Sequence, residues 1–257
     1  MLRLADTTTH ALAAWLAAHE NTCVLVPVGS TEPHGPHLPL ATDVIISEGA
    51  ARRAAPRLGA EGIATAIAPS VPYGVTDYAA GFRGAIGVPA SVLTPFLHAL
   101  GARLIADGFG HVCFVNNHLE PAHDKAVRDA IVGLAAFRAS VACPLTRKHA
   151  RTLSAEFKSG ACHAGEYETS LVLAETPALV SATHKSLPTL DISLSAAIAT
   201  GKATFAEINM HDAYTGAPAN ATRDEGERMY AKLADMIVDE VTSALTALAT
   251  AGPASDS

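Results

Sequence analysis

Charge is scarce in this chain, and what there is leans acidic. Asp, Glu, Lys and Arg supply 17% of 257 residues, 25 acidic against 18 basic, for a net charge of −7. Lysines and arginines never cluster. With no basic track to neutralise a phosphate backbone, nucleic acid is not an expected partner. Cysteine is rarer still: Cys23, Cys113, Cys143 and Cys162 stand far apart, without a Cys-x-x-Cys pair. That spacing excludes a disulfide framework and a four-cysteine zinc site, and it points to a reduced, cytoplasmic protein. No apolar run approaches the roughly 20 residues that a bilayer demands, so no membrane partner is expected. Residues 11–18 are apolar but brief and lead into His19-Glu20-Asn21, which suits a short packed helix rather than a secretory leader. Aromatics make up only 5%, with a single tryptophan, Trp15.

What is plentiful is material for a core, 49% of the residues being hydrophobic. The run from Cys23 to Val28, with β-branched Val24, Val26 and Val28, predicts a buried parallel strand. Further strands are expected over residues 63–71, 111–115 and 140–143. Helices are expected over 44–58, 91–107, 122–137 and 166–175, with Asp43 as a candidate N-cap of the first. A long helix is expected over 222–249, opened by the capping-box pair Thr222 and Glu225. Residues 176–221 read as loop-rich, and 250–257 as a frayed tail. This alternation predicts one α/β domain over 1–257, three-layered α/β/α around a mostly parallel central sheet. No Gly-x-Gly-x-x-Gly follows the first strand, which counts against a dinucleotide-binding enzyme.

The chemistry lies in three clusters. After the first strand comes Gly-Ser-Thr-Glu-Pro-His-Gly-Pro-His-Leu-Pro-Leu-Ala-Thr-Asp, residues 29–43, which packs Glu32, His34, His37 and Asp43 into one stiff loop. His118 and Glu120 follow the strand at 111–115, and His163 and Glu168 open the helix at 166–175. Taken singly, His34 and His37 could be turn residues and Asp43 a helix cap. Taken together, titratable side chains gathered at strand ends point to a ligand, because their desolvation is costly without one. Carboxylates neutralise a cation and imidazoles give it directional nitrogen donors. So many carboxylates suit two cations better than one, and a pair of cations can ready a water for hydrolysis.

The loop at 29–43 resembles the signature of the creatininase family of metal-dependent amidohydrolases. Asn116-Asn117-His118-Leu119-Glu120 resembles that family's Asn-Gly-His-x-Glu turn, and His163-Ala164-Gly165-Glu166-Tyr167-Glu168-Thr169-Ser170 resembles its His-Ala-Gly-x-x-Glu-Thr-Ser motif. The resemblance implies a creatininase-like fold and two divalent ions per subunit, with zinc, manganese and iron all compatible. It implies that Glu32 and His118 bind one ion, His34 and Glu120 the other, and Asp43 both. His163 would pass a proton to the leaving nitrogen, Glu168 would stand close to the metals, and His37 would be structural. Thr76 would offer a hydroxyl to substrate and Leu119 an apolar surface. Arg83 stands where the family has proline, and could clamp an anionic group. Cys162 beside His163 allows a Cys–His nucleophile, which the metal constellation makes redundant.

The resemblance thus implies a metal-activated hydroxide cleaving a C–N bond of a small cyclic amide or formamide. The alternatives are a metallopeptidase trimming a short peptide-cofactor precursor and a non-catalytic metal- or ligand-binding homologue. Creatinine itself is disfavoured, because the family's site tryptophans have no counterpart here. A homo-oligomer, commonly a hexamer in the family, is also implied.

Overall fold

The computed structural model describes residues 1–251. Five strands form its sheet: β1 (Leu2–Arg3), β2 (Thr22–Val28), β3 (Ala64–Ile67), β4 (His111–Asn116) and β5 (Ala139–Ala142). Their order is β1-β3-β2-β4-β5, and every pairing is parallel. Strands β2 and β4 are buried along their whole length. Side chains alternate between the faces of a strand, so each strand feeds two cores. Cys23, Leu25, Cys113 and Val115 enter one, while Val24, Val26, Val28, Val112 and Phe114 enter the other.

Helices close both faces. Those of the first half are α1 (Thr9–Ala17), α2 (Thr42–Ala60), α3 (Ala90–Ala106) and α4 (Pro121–Ala130). Short α5 (Arg147–Ala150) and α6 (Ala155–Ser159) precede α7 (Glu166–Glu175), α8 (Leu194–Ala199) and the long α9 (Arg223–Ala251). Residues of α2, α7 and α9 share the Cys23–Leu25 core, and those of α3 and α4 the Val24–Val26 core. Ile46, Ala50, Ala54 and Leu58 recur at helical spacing along the buried stripe of α2. The three-layer α/β/α arrangement is the expected one. Among the described residues, no helix is long and apolar enough to cross a membrane.

Boundaries moved where turn chemistry overrode periodicity. Helix α4 stops at Ala130 rather than 137, with Gly133 in the left-handed region at φ 84° and Val132 exposed. The second expected strand shrinks to Ala64–Ile67, since Pro69 cannot donate to a ladder, and only Val71 returns to bridge Val28. Asp43 is not an N-cap but the second residue of α2, in whose first turn its charge meets the helix dipole. Thr222 does cap α9, accepting the Glu225 amide at 3.1 Å. Of the tail expected from 250, Thr250 and Ala251 are helical, and residues 252–257 lie outside the described residues.

Strand order positions the site. The chain runs from β2 outward to β3, then crosses back to lay β4 on the other side of β2. At such a switch point two loops leave neighbouring strand ends in opposite directions and open a crevice. Register brings Val28 level with Asn116, so the segments that carry Glu32 and His118 emerge side by side.

His111, at the start of β4, gives a test of the buried framework. Its Nδ1–H donates to the Phe137 carbonyl at 3.0 Å, and its Nε2 accepts from the Ser140 hydroxyl at 2.8 Å. Burial pushes this imidazole down to about 4. Below pH ~6.5 the unfolded chain therefore binds a proton that the native state refuses, and stability falls as pH falls. From pH 6.5 to 4 this residue alone withdraws up to ~3 kcal/mol. Urea midpoints of the metal-free protein across that window should drop, and drop less steeply in His111→Gln.

Candidate metal centre

The β2 exit is tight. A Cβ at Gly29 would lie 2.8 Å from the Asp43 Cβ and from the Val44 nitrogen, so only glycine lets α2 dock this closely. The docking carries Asp43 into the crevice, where its Oδ2 accepts the Ser30 amide at 3.2 Å. Asp43 then stands between two imidazoles, with Oδ1 3.1 Å from His34 Nε2 and Oδ2 3.0 Å from His118 Nδ1. Backbone carbonyls set both rings. His34 Nδ1–H donates to Glu32 O at 3.1 Å, and His118 Nε2–H donates to Val75 O at 2.6 Å. Each ring thereby turns its other nitrogen toward the carboxylates.

Glu32 completes the middle of the cluster, its Oε1 lying 3.4 Å from His118 Nδ1, 3.8 Å from His163 Nδ1 and 3.9 Å from His34 Nε2. Thr76 spends its hydroxyl on Glu32 Oε2. Glu120, beyond β4, accepts the amides of Asp77 at 3.1 Å and Tyr78 at 3.2 Å, one on each oxygen. Glu168 reaches in from the first turn of α7, with Oε2 3.6 Å from His34 Nε2. His163 donates from Nε2 to Pro33 O at 2.9 Å, and its ring lies 4.4 Å from that of His34.

The charges respond to one another. Burial favours a neutral Glu32, but His118 overrides it and holds the carboxyl at about 2. The imidazoles of His118 and His34 likewise hold Asp43 well below the usual range, against burial. Burial would strip the proton from His34, yet Asp43 and Glu168 raise it to about 10. Glu32 and Asp43 raise His118 in the same way. Burial lifts Glu120 to about 7 and Glu168 to about 8, and it lowers His163 to about 4. Protons on imidazole are thus offsetting a surplus of buried carboxylate.

A divalent cation would do the same work and release those protons. The donor set fits one. Glu32, His118 and Glu120 bring ligand atoms within 4.8 Å of one another, as do His34, Asp43 and Glu168, and as do Glu32, His34 and His163. His34 Nε2 and Asp43 Oδ1 are sealed from solvent and lack any hydrogen-bond partner, although they face each other. Nitrogen and oxygen donors without sulfur suit zinc, manganese or iron.

The structure does not gather every residue singled out in the sequence. His37 turns away to Thr169 Oγ1 at 2.8 Å. Arg83 is exposed and does not line the pocket, because its neighbour Phe82 packs on Phe205 and Gly81 and Gly84 turn the loop outward at positive φ. Thr76 faces a carboxylate rather than open space. Leu119 and Cys162 do line the pocket, but burial pushes the Cys162 thiol up to about 12, which leaves it protonated and a poor nucleophile.

The cavity over the cluster is small, about 110 Å³, and opens to solvent. Tyr78, Leu119, Leu145, Leu194, Ile198 and Phe205 form its apolar wall, and no lysine or arginine lines it among the described residues. Half of that wall comes from residues 190–213, which read as loop in the sequence. The one available signal was Leu194 and Ile198, a turn apart behind the N-cap Ser193. Trp15 lies in the opposite layer, 6.0 Å from Phe109.

Comparison with known proteins finds relatives along most of the chain. The profile of a family described as creatininase, creatinine amidohydrolase, matches residues 5–241. The mycofactocin precursor peptide peptidase of Mycobacterium tuberculosis is 33% identical over 231 residues, 85% of this chain and 84% of its own. The protein of that name from Mycolicibacterium smegmatis is 31% identical over 225 residues, 85% of this chain and 83% of its own. Among solved structures, a manganese creatininase superimposes with a TM-score of 0.72 at 20% identity, covering 94% of this chain and 98% of its own.

Proposed function

The chain belongs to the creatininase family, and from that premise we propose that this hydrolase is a metal-dependent peptidase acting on a short peptide. The observation that carries the reading is the kinship with peptide peptidases over 85% of the chain. The pocket supports it, since an apolar wall without a cationic residue suits a peptide segment bearing apolar side chains. The cyclic-amide or formamide alternative rests on family resemblance, and it lacks the tryptophan lid that a flat ring would use.

Two divalent ions would be held by Glu32, His34, Asp43 and His118, with Glu120 and Glu168 as the further carboxylates. Bound there, such ions polarise the scissile carbonyl and make water acidic enough to attack at neutral pH. The protein's own residues do the rest. His163, neutral and fixed through its Nε2–H on Pro33, keeps Nδ1 free to take a proton and hand it to the departing nitrogen. Tyr78 and Phe205 line the pocket and set apolar surface beside the reacting groups. We retain a homo-oligomer in the reading, supported by the exposed apolar side chains of Ile86, Val92 and Phe96.

Metal-loaded protein should cleave short peptides with apolar or aromatic residues at the scissile bond. Creatinine, small lactams and formamides should turn over at least ~100-fold less efficiently, as kcat/KM. Turnover of a lactam or formamide but no peptide would return the reading to the cyclic-amide class. Tight metal without turnover of any amide would leave a binding protein.

A further inference from the structure

Resting on the reading of His163 as the group that hands a proton to the departing nitrogen, we propose that Glu156 is its positioning residue. Its carboxylate braces the two segments between which His163 is held. His163 belongs to no helix or strand and lies between α6 and α7. Its neighbour Ala164 is in the left-handed region at φ 51°, a conformation that an L residue keeps only where its surroundings require it. The His163 carbonyl accepts the Thr215 amide at 2.9 Å. Regular structure therefore does not fix the ring, and what does is the way residues 163–167 sit on residues 215–217.

Glu156 grips both sides of that contact. From the first turn of α6 its Oε1 accepts the Tyr167 amide at 2.9 Å, and its Oε2 accepts the Ala217 amide at 2.7 Å. Neither amide belongs to α6, so the side chain is not that helix's own cap. The Tyr167 amide is one of the donors left open at the start of α7, a helix that begins on Gly165 and so has no side chain at its N-cap. Glu156 supplies from another segment the acceptor that Gly165 lacks, and its charge suits the positive end of the helix.

The backbone leaves room for this carboxylate on both segments. A Cβ at Gly165 would collide with Glu156 Oε1, and one at Gly216 with Oε2. Two glycines thus converge on one pair of oxygens, an arrangement that an acidic residue merely facing solvent does not need. The turn that carries Glu156 is itself anchored, since Phe157 is buried with its ring 4.9 Å from that of Tyr167. Braced in this way, the loop holds His163 with Nε2 on the Pro33 carbonyl and the ring against Phe205.

The test uses Glu156→Gln, which keeps the size but turns an NH₂ group toward one of the two amides. In the metal-free protein, hydrogen exchange read by NMR should quicken at least ~10-fold at Tyr167 or Ala217, as one charged hydrogen bond is lost. It should quicken also at Thr215, which Glu156 does not touch, while the amides of β2 and β4 keep their protection. Thr215 exchanging as in wild type would overturn the proposal, because the brace would end at its own two amides. An equal rise in β2 and β4 would overturn it too, as the mark of general destabilisation. In metal-loaded enzyme, kcat for peptide should fall at least ~10-fold with little change in KM. In a His163→Ala background the same substitution should cost less than ~2-fold, since the group it positions is already gone. An equal loss in both backgrounds would overturn the proposal. Should Glu156→Gln not fold, Glu156→Asp carries the test: it keeps the charge but falls one methylene short of spanning both segments, so the same exchange and kinetic pattern is expected and wild-type behaviour overturns the proposal. A His163→Ala enzyme that cleaves peptide at the wild-type rate would instead sink the proton-transfer reading, and exchange at Thr215 would still decide whether Glu156 holds the loop.

Discussion

Asp43→Asn should empty the centre and stop turnover while the fold survives. Asp43 puts a separate oxygen beside each imidazole, at 3.1 Å from His34 and 3.0 Å from His118, closer to both than Glu32 comes. Asparagine offers a single neutral oxygen in its place, so neither half of the centre keeps a shared anion. Loss of metal removes the polarisation of the scissile carbonyl, and kcat should fall by at least ~10³-fold. Breaking a buried ion pair commonly costs ~3–5 kcal/mol because a charge is left uncompensated. Here the cost should be smaller, since His34 and His118 can shed the protons that Asp43 stabilises. Circular dichroism should therefore remain native while elemental analysis finds little bound metal. An Asp43→Asn enzyme with full metal content and normal rate would contradict the mechanism.

His163→Ala should separate chemistry from metal binding. His163 Nδ1 lies 3.8 Å from Glu32 Oε1, farther than either His34 or His118 approaches Asp43, and its ring packs 4.7 Å from Phe205 at the pocket wall. Placed there it serves the substrate more than the ions. A proton-transfer group of this kind contributes ~10²–10⁴-fold to the rate. The variant should lose that factor in kcat, hold nearly as much metal as wild type, and change KM little. Loss of metal in parallel with the rate would make His163 a ligand, in line with its grouping beside Glu32 and His34. The contrast between the two substitutions matters more than either alone. Asp43 should lose metal and rate together, and His163 rate alone.

Much of this was legible in the sequence because the signals are local. An apolar run rich in β-branched residues and bounded by turn residues reads as a strand covered on both faces, and β2 and β4 are buried throughout. Motifs placed after such strands must emerge at their carboxyl ends, where a parallel sheet opens its crevice. The expectation that Glu32, His34, Asp43, His118 and Glu120 would meet rested on that reasoning, and their side chains do lie close together. Arg83 shows where local reasoning ends. Its charge suggested a clamp, but the packing of Phe82 on Phe205 and two glycines at positive φ send it to solvent.

By itself, then, the sequence determined the alternation of strand and helix, the crevice and the crowd of carboxylates and imidazoles placed at it. Only the tertiary structure decided which of those groups face one another. The partner of His34 is set by how α7 docks on α2, and the pocket wall by how residues 190–213 fold over the loop after β3. Periodicity and turn chemistry act over a few residues. That Glu168 stands beside His34 depends on packing between segments more than a hundred residues apart, which no local pattern encodes.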